Sequence, residues 1–234
     1  MSANVRSVAA LWASAVGADP TRPLLTWYDD ATGERVELSG VTLDNWVAKT
    51  ANLLVDGLGL STGDRATVAL PPHWQSAAVL LGCWNAGLTV GSAGAADVLF
   101  ASTPDASGAT DRYLLGFAPM GLPMRGAVPE GWLDYVAEVR TFGDRFTPMT
   151  PVDGSDPATD EDDHATLVTR ATSRAAELGI KPGSRVLLDL STDRPVLDWL
   201  LAPLSVAATL VLCANPDPGA LPRRAESERA DTVL

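Results

Sequence analysis

Residues 47–90 align without a gap on residues 167–210. Ala51 falls on Ala171, Leu58-Gly59 on Leu178-Gly179, Gly63 on Gly183, Arg65 on Arg185, Leu80-Leu81 on Leu200-Leu201 and Thr89 on Thr209. Each copy reads as helix, glycine turn, strand, loop, helix, strand. The physical cause is shared. A helix ends at glycine because the position after its last turn needs a positive φ, and a short apolar strand follows. Duplication and convergence on one α/β unit both account for the echo. Alternation of this kind calls for crossover connections and an α/β fold, with a mixed, largely parallel sheet and flanking helices.

The rest of the chain extends the pattern. A helix is expected over 7–16, stopped by Gly17. Strands at 24–28 and 34–38 flank Asp29, Asp30, Thr32 and Gly33, which are turn residues, so a hairpin is expected. Thr42 caps a helix reaching 58, and strand 65–70, helix 74–85 and short strands at 89–90 and 98–100 follow. Residues 101–130 break the rhythm with Pro, Gly, Ser and Ala, ahead of a helix at 132–139. Residues 147–163, with three prolines and the run Asp160-Glu161-Asp162-Asp163, read as a solvated linker. Helix 165–178, strand 185–190, helix 195–206, strand 208–212, helix 220–229 and a strand from 232 complete the pattern. The expected organisation is one α/β domain over 1–234. Two similar blocks, about 1–92 and 164–234, are joined by an irregular Pro/Gly-rich insertion at about 93–163.

Composition narrows the function classes. Among 234 residues, 29 are acidic and 17 are Lys or Arg, a net charge of -12. Such a charge repels phosphate backbones and anionic lipid heads, so nucleic acid and membrane are not expected partners. The apolar run at 8–18 carries Trp12 and no basic cluster before it, which fits a surface helix better than a signal peptide. The run at 196–214 contains Asp198, Pro203 and Ser205 and reads as a buried helix and strand, so a cytoplasmic location is expected. Cys83 and Cys213 lie in apolar stretches and read as buried thiols. With two histidines, His73 and His164, no metal set or catalytic triad can be assembled.

Several motifs resemble the adenylate-forming superfamily of acyl-CoA synthetases, luciferases and peptide-synthetase adenylation domains. Gly59-Leu60-Ser61-Thr62-Gly63-Asp64-Arg65-Ala66-Thr67-Val68-Ala69-Leu70-Pro71 is similar to that family's G-L-x-x-G-D-R-V-A-x-x-L-P segment. Val41-Thr42-Leu43-Asp44-Asn45-Trp46 resembles its first helix, and Ala86-Gly87 the end of the next. Leu178-Gly179-Ile180-Lys181-Pro182-Gly183-Ser184-Arg185-Val186-Leu187 resembles the strand after its phosphate loop. Pro203-Leu204 and Ala208-Thr209-Leu210-Val211-Leu212 resemble its P-L-x-x-G-A-T-x-V-L segment. The resemblance covers most of 1–92 and 164–234 and implies a truncated version of the family's N-terminal domain.

The resemblance also implies parts that these residues lack. The family's Ser/Thr/Gly-rich loop ends in a Lys, and its amides hold ATP phosphates. At that place stands Ala158-Thr159-Asp160-Glu161-Asp162-Asp163, whose carboxylates repel a triphosphate. The adenine segment, ribose-binding Asp and catalytic Lys have no counterpart, and Lys49 and Lys181 match structural positions. The chain resembles short actinobacterial proteins that share part of the family's sequence and lack the phosphate loop. No catalytic residue, cofactor or metal is therefore assigned. Ser107-Gly108-Ala109-Thr110 and Gly91-Ser92-Ala93-Gly94 lack the full phosphate-binding pattern and read as polar turns.

Architecture supplies the remaining candidates. Ligands of open α/β sheets sit beyond the carboxyl ends of strands. The loops there are Pro71-Pro72-His73-Trp74 and Ser191-Thr192-Asp193-Arg194. If strands 65–70 and 185–190 are parallel neighbours, both loops open on one rim. His73 would exchange a proton, Trp74 stack on a flat ligand and Arg194 hold a carboxylate or phosphate. Helix capping by Thr192 or Asp193 and packing by Trp74 are the plainer roles. The seven Trp read as core, or as a partner surface if exposed. The expected function is a non-catalytic binding or interaction module. The alternatives are a binder or enzyme for an acyl, carboxylate or nucleotide ligand at this rim, and a subunit completed by another chain. An open sheet edge would be covered by a homodimer or protein partner.

Overall fold

The computed structural model describes residues 5–105 and 108–234. In chain order the elements are α1 (Val8–Ala18), β1 (Pro23–Asp29), β2 (Glu34–Ser39), α2 (Gly40–Asn52, continued by a π-helical turn, Leu53–Gly57) and β3 (Arg65–Ala69). Then come α3 (Trp74–Asn85), β4 (Thr89–Gly91), β5 (Val98–Ala101), β6 (Asp111–Leu114), β7 (Leu133–Asp134) and α4 (Tyr135–Val139). The chain continues with α5 (His164–Glu177), β8 (Arg185–Asp189), a π-helical turn (Leu197–Leu201), α6 (Ala202–Ser205), β9 (Thr209–Ala214), α7 (Leu221–Ser227) and β10 (Thr232–Val233).

The strands form two mostly parallel five-stranded sheets, ordered β10-β8-β9-β1-β2 and β4-β3-β5-β6-β7. Strands β3 and β8 are therefore not neighbours, as the rim reading assumed, but lie in separate sheets. The first sheet recruits the β1–β2 hairpin from the start of the chain: β1 runs parallel to β9, Leu25 opposite Leu210 and Asp29 opposite Ala214. Among the described strands, β1–β2 is the one antiparallel pair. The second sheet takes β6 from the stretch whose rhythm looked broken, between β5, expected at 98–100, and β7, which opens the region expected to be helical at 132–139. These strands are two to four residues long, too short for a legible alternation.

Local chemistry explains the boundaries. Ser39 Oγ, rather than Thr42, caps α2 by accepting the Thr42 N–H at 3.2 Å, so this helix starts earlier than the sequence suggested. Asp163 caps α5 through the Thr166 N–H. Gly59 and Gly179 follow helices at φ of 71° and 70°, the conformation their shared position demands. Pro203, which lacks an N–H, sits where the expected helix 195–206 changes from a π-helical turn to a short α segment.

Helix α3 is buried from Trp74 to Trp84 and packs against α1, α2, β1 and β3. Its Gly82 touches α2 so closely that an added Cβ would lie 2.5 Å from Thr50 Cβ. Six of the seven Trp are buried and Trp46 is half-buried, so none marks an exposed partner surface.

The segment expected to be a solvated linker is built into the fold. Ala158 is buried, and its carbonyl accepts the Trp84 indole N–H at 2.9 Å and the Val90 N–H at 3.0 Å. Asp160 pairs with Arg65, and Asp162 with Arg170. Paired carboxylates let an acidic run lie against the protein. Among the described residues no helix is long and apolar enough to cross a membrane. Both sheets have open edges, and at β10 the Val233 side chain is exposed.

Candidate functional site

Each parallel strand delivers its carboxyl end to a loop, and some of these ends meet although their strands lie in different sheets. A cavity of about 330 Å³ is lined by Pro71, Pro72 and His73 after β3, Leu190 after β8, and Ala214 and Asn215 at the end of β9. Trp27 and Asp29 of β1, Glu34 of β2 and Phe117 complete it.

His73 is the cavity's best-buried titratable group. It precedes α3, where its Nδ1 accepts the Gln75 N–H at 3.1 Å. That bond leaves the ring proton of the neutral imidazole on Nε2. Burial drives its pKa down to about 3, against the pull of Asp29. The ring is neutral at physiological pH. It stands edge-on to Trp27, centroids 4.3 Å apart, and 4.4 Å from the Phe117 ring.

Burial pulls the Asp29 carboxyl upward, but hydrogen bonds from Asn215, Thr32 and the Ala31 amide outweigh it and hold it below its usual range. Glu34 accepts the Met120 N–H at 3.1 Å. Phe117 and Asn215 adopt φ of 48° and 44°, a left-handed conformation that costs a non-glycine residue energy and gathers at functional sites.

The other rim residues expected from sequence lie elsewhere. Trp74 is buried against Trp46, ring centroids 5.2 Å apart, and does not line the cavity. Thr192 and Asp193 are exposed, and no side-chain cap precedes the following π-helical turn. Arg194 folds back, its Nε donating to the Asp189 carbonyl at 2.7 Å. Of Ser107–Thr110, Ser107 lies outside the described residues. Sequence reasoning did not select Trp27, Asp29, Glu34, Phe117 or Asn215. The only signal for Asp29 was its place at a strand end, where it read as a turn residue.

A second cavity of about 400 Å³ lies between Trp84, Asp160, Asp162, Arg170 and Leu197. Two further basic groups are engaged in ion pairs. Lys49 pairs with Asp144 at 2.8 Å, and Arg224 with Asp30 at 2.6 Å. Among the described residues no group of His, Cys, Asp and Glu is arranged to hold a metal ion.

No family model matches the chain. A TIGR03089 family protein of Mycobacterium tuberculosis is 39% identical over 230 residues, covering 93% of each chain. Two solved structures share the fold. Acetoacetyl-CoA synthetase from Streptomyces lividans matches with a TM-score of 0.74 at 19% identity, over 97% of this chain and 42% of its own. An acyl-CoA synthetase of Brucella canis matches with a TM-score of 0.74 at 15% identity, over 100% of this chain and 48% of its own. The chain thus spans less than half the length of either. The fold is the one expected from the adenylate-forming resemblance, and at 39% identity over nearly its whole length the chain belongs to the TIGR03089 family.

Proposed function

We propose that this protein is a non-adenylating relative of the adenylate-forming enzymes, acting as a binding module with its ligand site at the His73 cavity. The observation that carries the first half is the occupied acidic run. Where the resemblance implies a phosphate loop, Asp160 and Asp162 are tied to Arg65 and Arg170, and Asp163 caps α5. A triphosphate does not fit that donor set: it would meet carboxylates and displace the two arginines from their partners. The second half is supported by the convergence of strand ends from both sheets on one ring-lined cavity.

Calorimetric titration with Mg·ATP and AMP, with pyrophosphate exchange in mixed carboxylic acids, tests the reading. The expected result is no heat and no exchange. Exchange would overturn it. A second reading is favoured by the exposed β10 edge: Val233 is 54% exposed, and a strand from a second copy or a protein partner would pair there. Sedimentation mass across a concentration series distinguishes self-pairing from a monomer.

A further inference from the structure

The His73 cavity carries charge of one sign. Its two ionisable acids, Asp29 and Glu34, both belong to the β1–β2 hairpin, and neither has an ion-pair partner among the described residues. Asp29 is met by neutral donors only, from Asn215, Thr32 and Ala31. Glu34 is met at Oε1 by a backbone amide. The neighbouring Arg224 is spent on Asp30 and stacks over Tyr28, and Arg194 is held against a backbone carbonyl. Three rings, Trp27, His73 and Phe117, form adjoining walls.

We propose that this cavity binds a small organic cation, an alkylated ammonium whose methyl or methylene groups rest on the Trp27, His73 and Phe117 rings and whose charge faces Asp29 and Glu34. The inference rests on the reading of the cavity as the ligand site. Ring faces carry negative electrostatic potential, and a desolvated cation gains from them what an uncharged ligand does not. An anion would meet two carboxylates and no basic side chain lining the cavity. His73 does not oppose the ligand, because burial keeps its imidazole neutral. A volume of about 330 Å³ admits a compact ligand. The left-handed backbone of Phe117 is consistent with this role, since it carries the residue whose ring closes on His73.

The test uses the whole protein in potassium phosphate, because amine buffers would compete. Choline is titrated by tryptophan fluorescence and calorimetry beside its uncharged isostere 3,3-dimethylbutan-1-ol and the anion 3,3-dimethylbutyrate. Saturable choline binding is expected, at least about threefold tighter than the neutral isostere. Glu34→Gln is expected to weaken choline while leaving the isostere unchanged, and Phe117→Ala to weaken both. Circular dichroism and melting curves establish that both variants are folded. If the isostere or the anion binds as tightly as choline, the cavity stands and the cation assignment is overturned. If none of the three binds, the cavity reading falls and the cation assignment with it.

Discussion

Arg65 and Arg185 open corresponding strands in separate sheets and are anchored in the same way. The N–H of each donates to an aspartate, Asp97 at 2.8 Å and Asp231 at 2.7 Å. The N–H of that aspartate returns to the arginine carbonyl, at 2.9 and 2.8 Å. The guanidinium groups diverge in burial. Arg185 pairs with Glu228, whose side chain is 9% exposed, and also donates to Thr26 at 2.9 Å. Arg65 pairs with Asp160, which is 52% exposed. Without Arg185 the buried Glu228 carboxylate keeps only the more exposed Arg35, at 3.2 Å, and the Tyr28 hydroxyl, so Arg185→Ala is expected to cost about 1.5–3 kcal/mol. Arg65→Ala is expected to cost about 1 kcal/mol or less. Urea denaturation of the two variants checks the contrast, and equal losses would contradict it.

Acid should weaken the fold well above the carboxylate range. Burial lowers the His73 pKa to about 3 and that of His164 to about 4, from 6.5. Their contribution is fully present above pH 6.5. It is lost as the pH falls towards the folded values, because only the unfolded chain takes up the protons. Each histidine is expected to remove about 1.4 kcal/mol per pH unit over the steep part of that window. The lowered pKa values of Asp29, Asp30 and Glu228 act in the same direction, but only below their unperturbed values. Denaturation at pH 7, 6 and 5 therefore isolates the histidines, and a flat profile would refute the assignment.

Gly82→Ala tests the α2–α3 crossing. On an unobstructed helix the change would gain about 1 kcal/mol in propensity. Here the new methyl would lie 2.5 Å from Thr50 Cβ, and Thr50 also holds the Tyr135 hydroxyl at 2.7 Å. A net loss of about 1–3 kcal/mol is expected from overpacking. A higher melting temperature would show that the helices stand further apart.

Gln75→Met should have the opposite sign. Gln75 is fully buried, and neither Oε1 nor Nε2 has a hydrogen-bond partner among the described residues. Methionine keeps much of the volume and removes the unpaired amide, so a gain of about 1 kcal/mol or more is expected. A clear loss in a melting curve would reveal a partner for that amide.

The boundaries of most longer elements were legible because they are local. Gly59, Gly87 and Gly179 stop helices, and Arg65 and Arg185 begin runs of apolar residues. The division into two sheets was not legible, because the pairing of Leu25 with Leu210 leaves no mark in either neighbourhood. Short strands such as Asp111–Leu114 have too few residues to show a period of two. Strand-end architecture drew attention to His73. It could not select Phe117, which sits in a Pro/Gly-rich stretch, or reveal that Arg194 turns back onto Asp189. Asp29 and Glu34 looked like the ends of a hairpin turn because they are that as well.

The parallel pairing of β1 with β9 has a consequence for biosynthesis. The hairpin is made first, yet its sheet partner ends at Ala214. At the pace of translation the bare β1 edge waits about 10–40 s for that partner. During that interval Leu24, Leu25 and Trp27, which end up buried, lack the strand that completes their sheet. The nascent chain is thus a natural client for holding chaperones. Damage that removed β9 would leave the inner edge of β1 without its parallel partner.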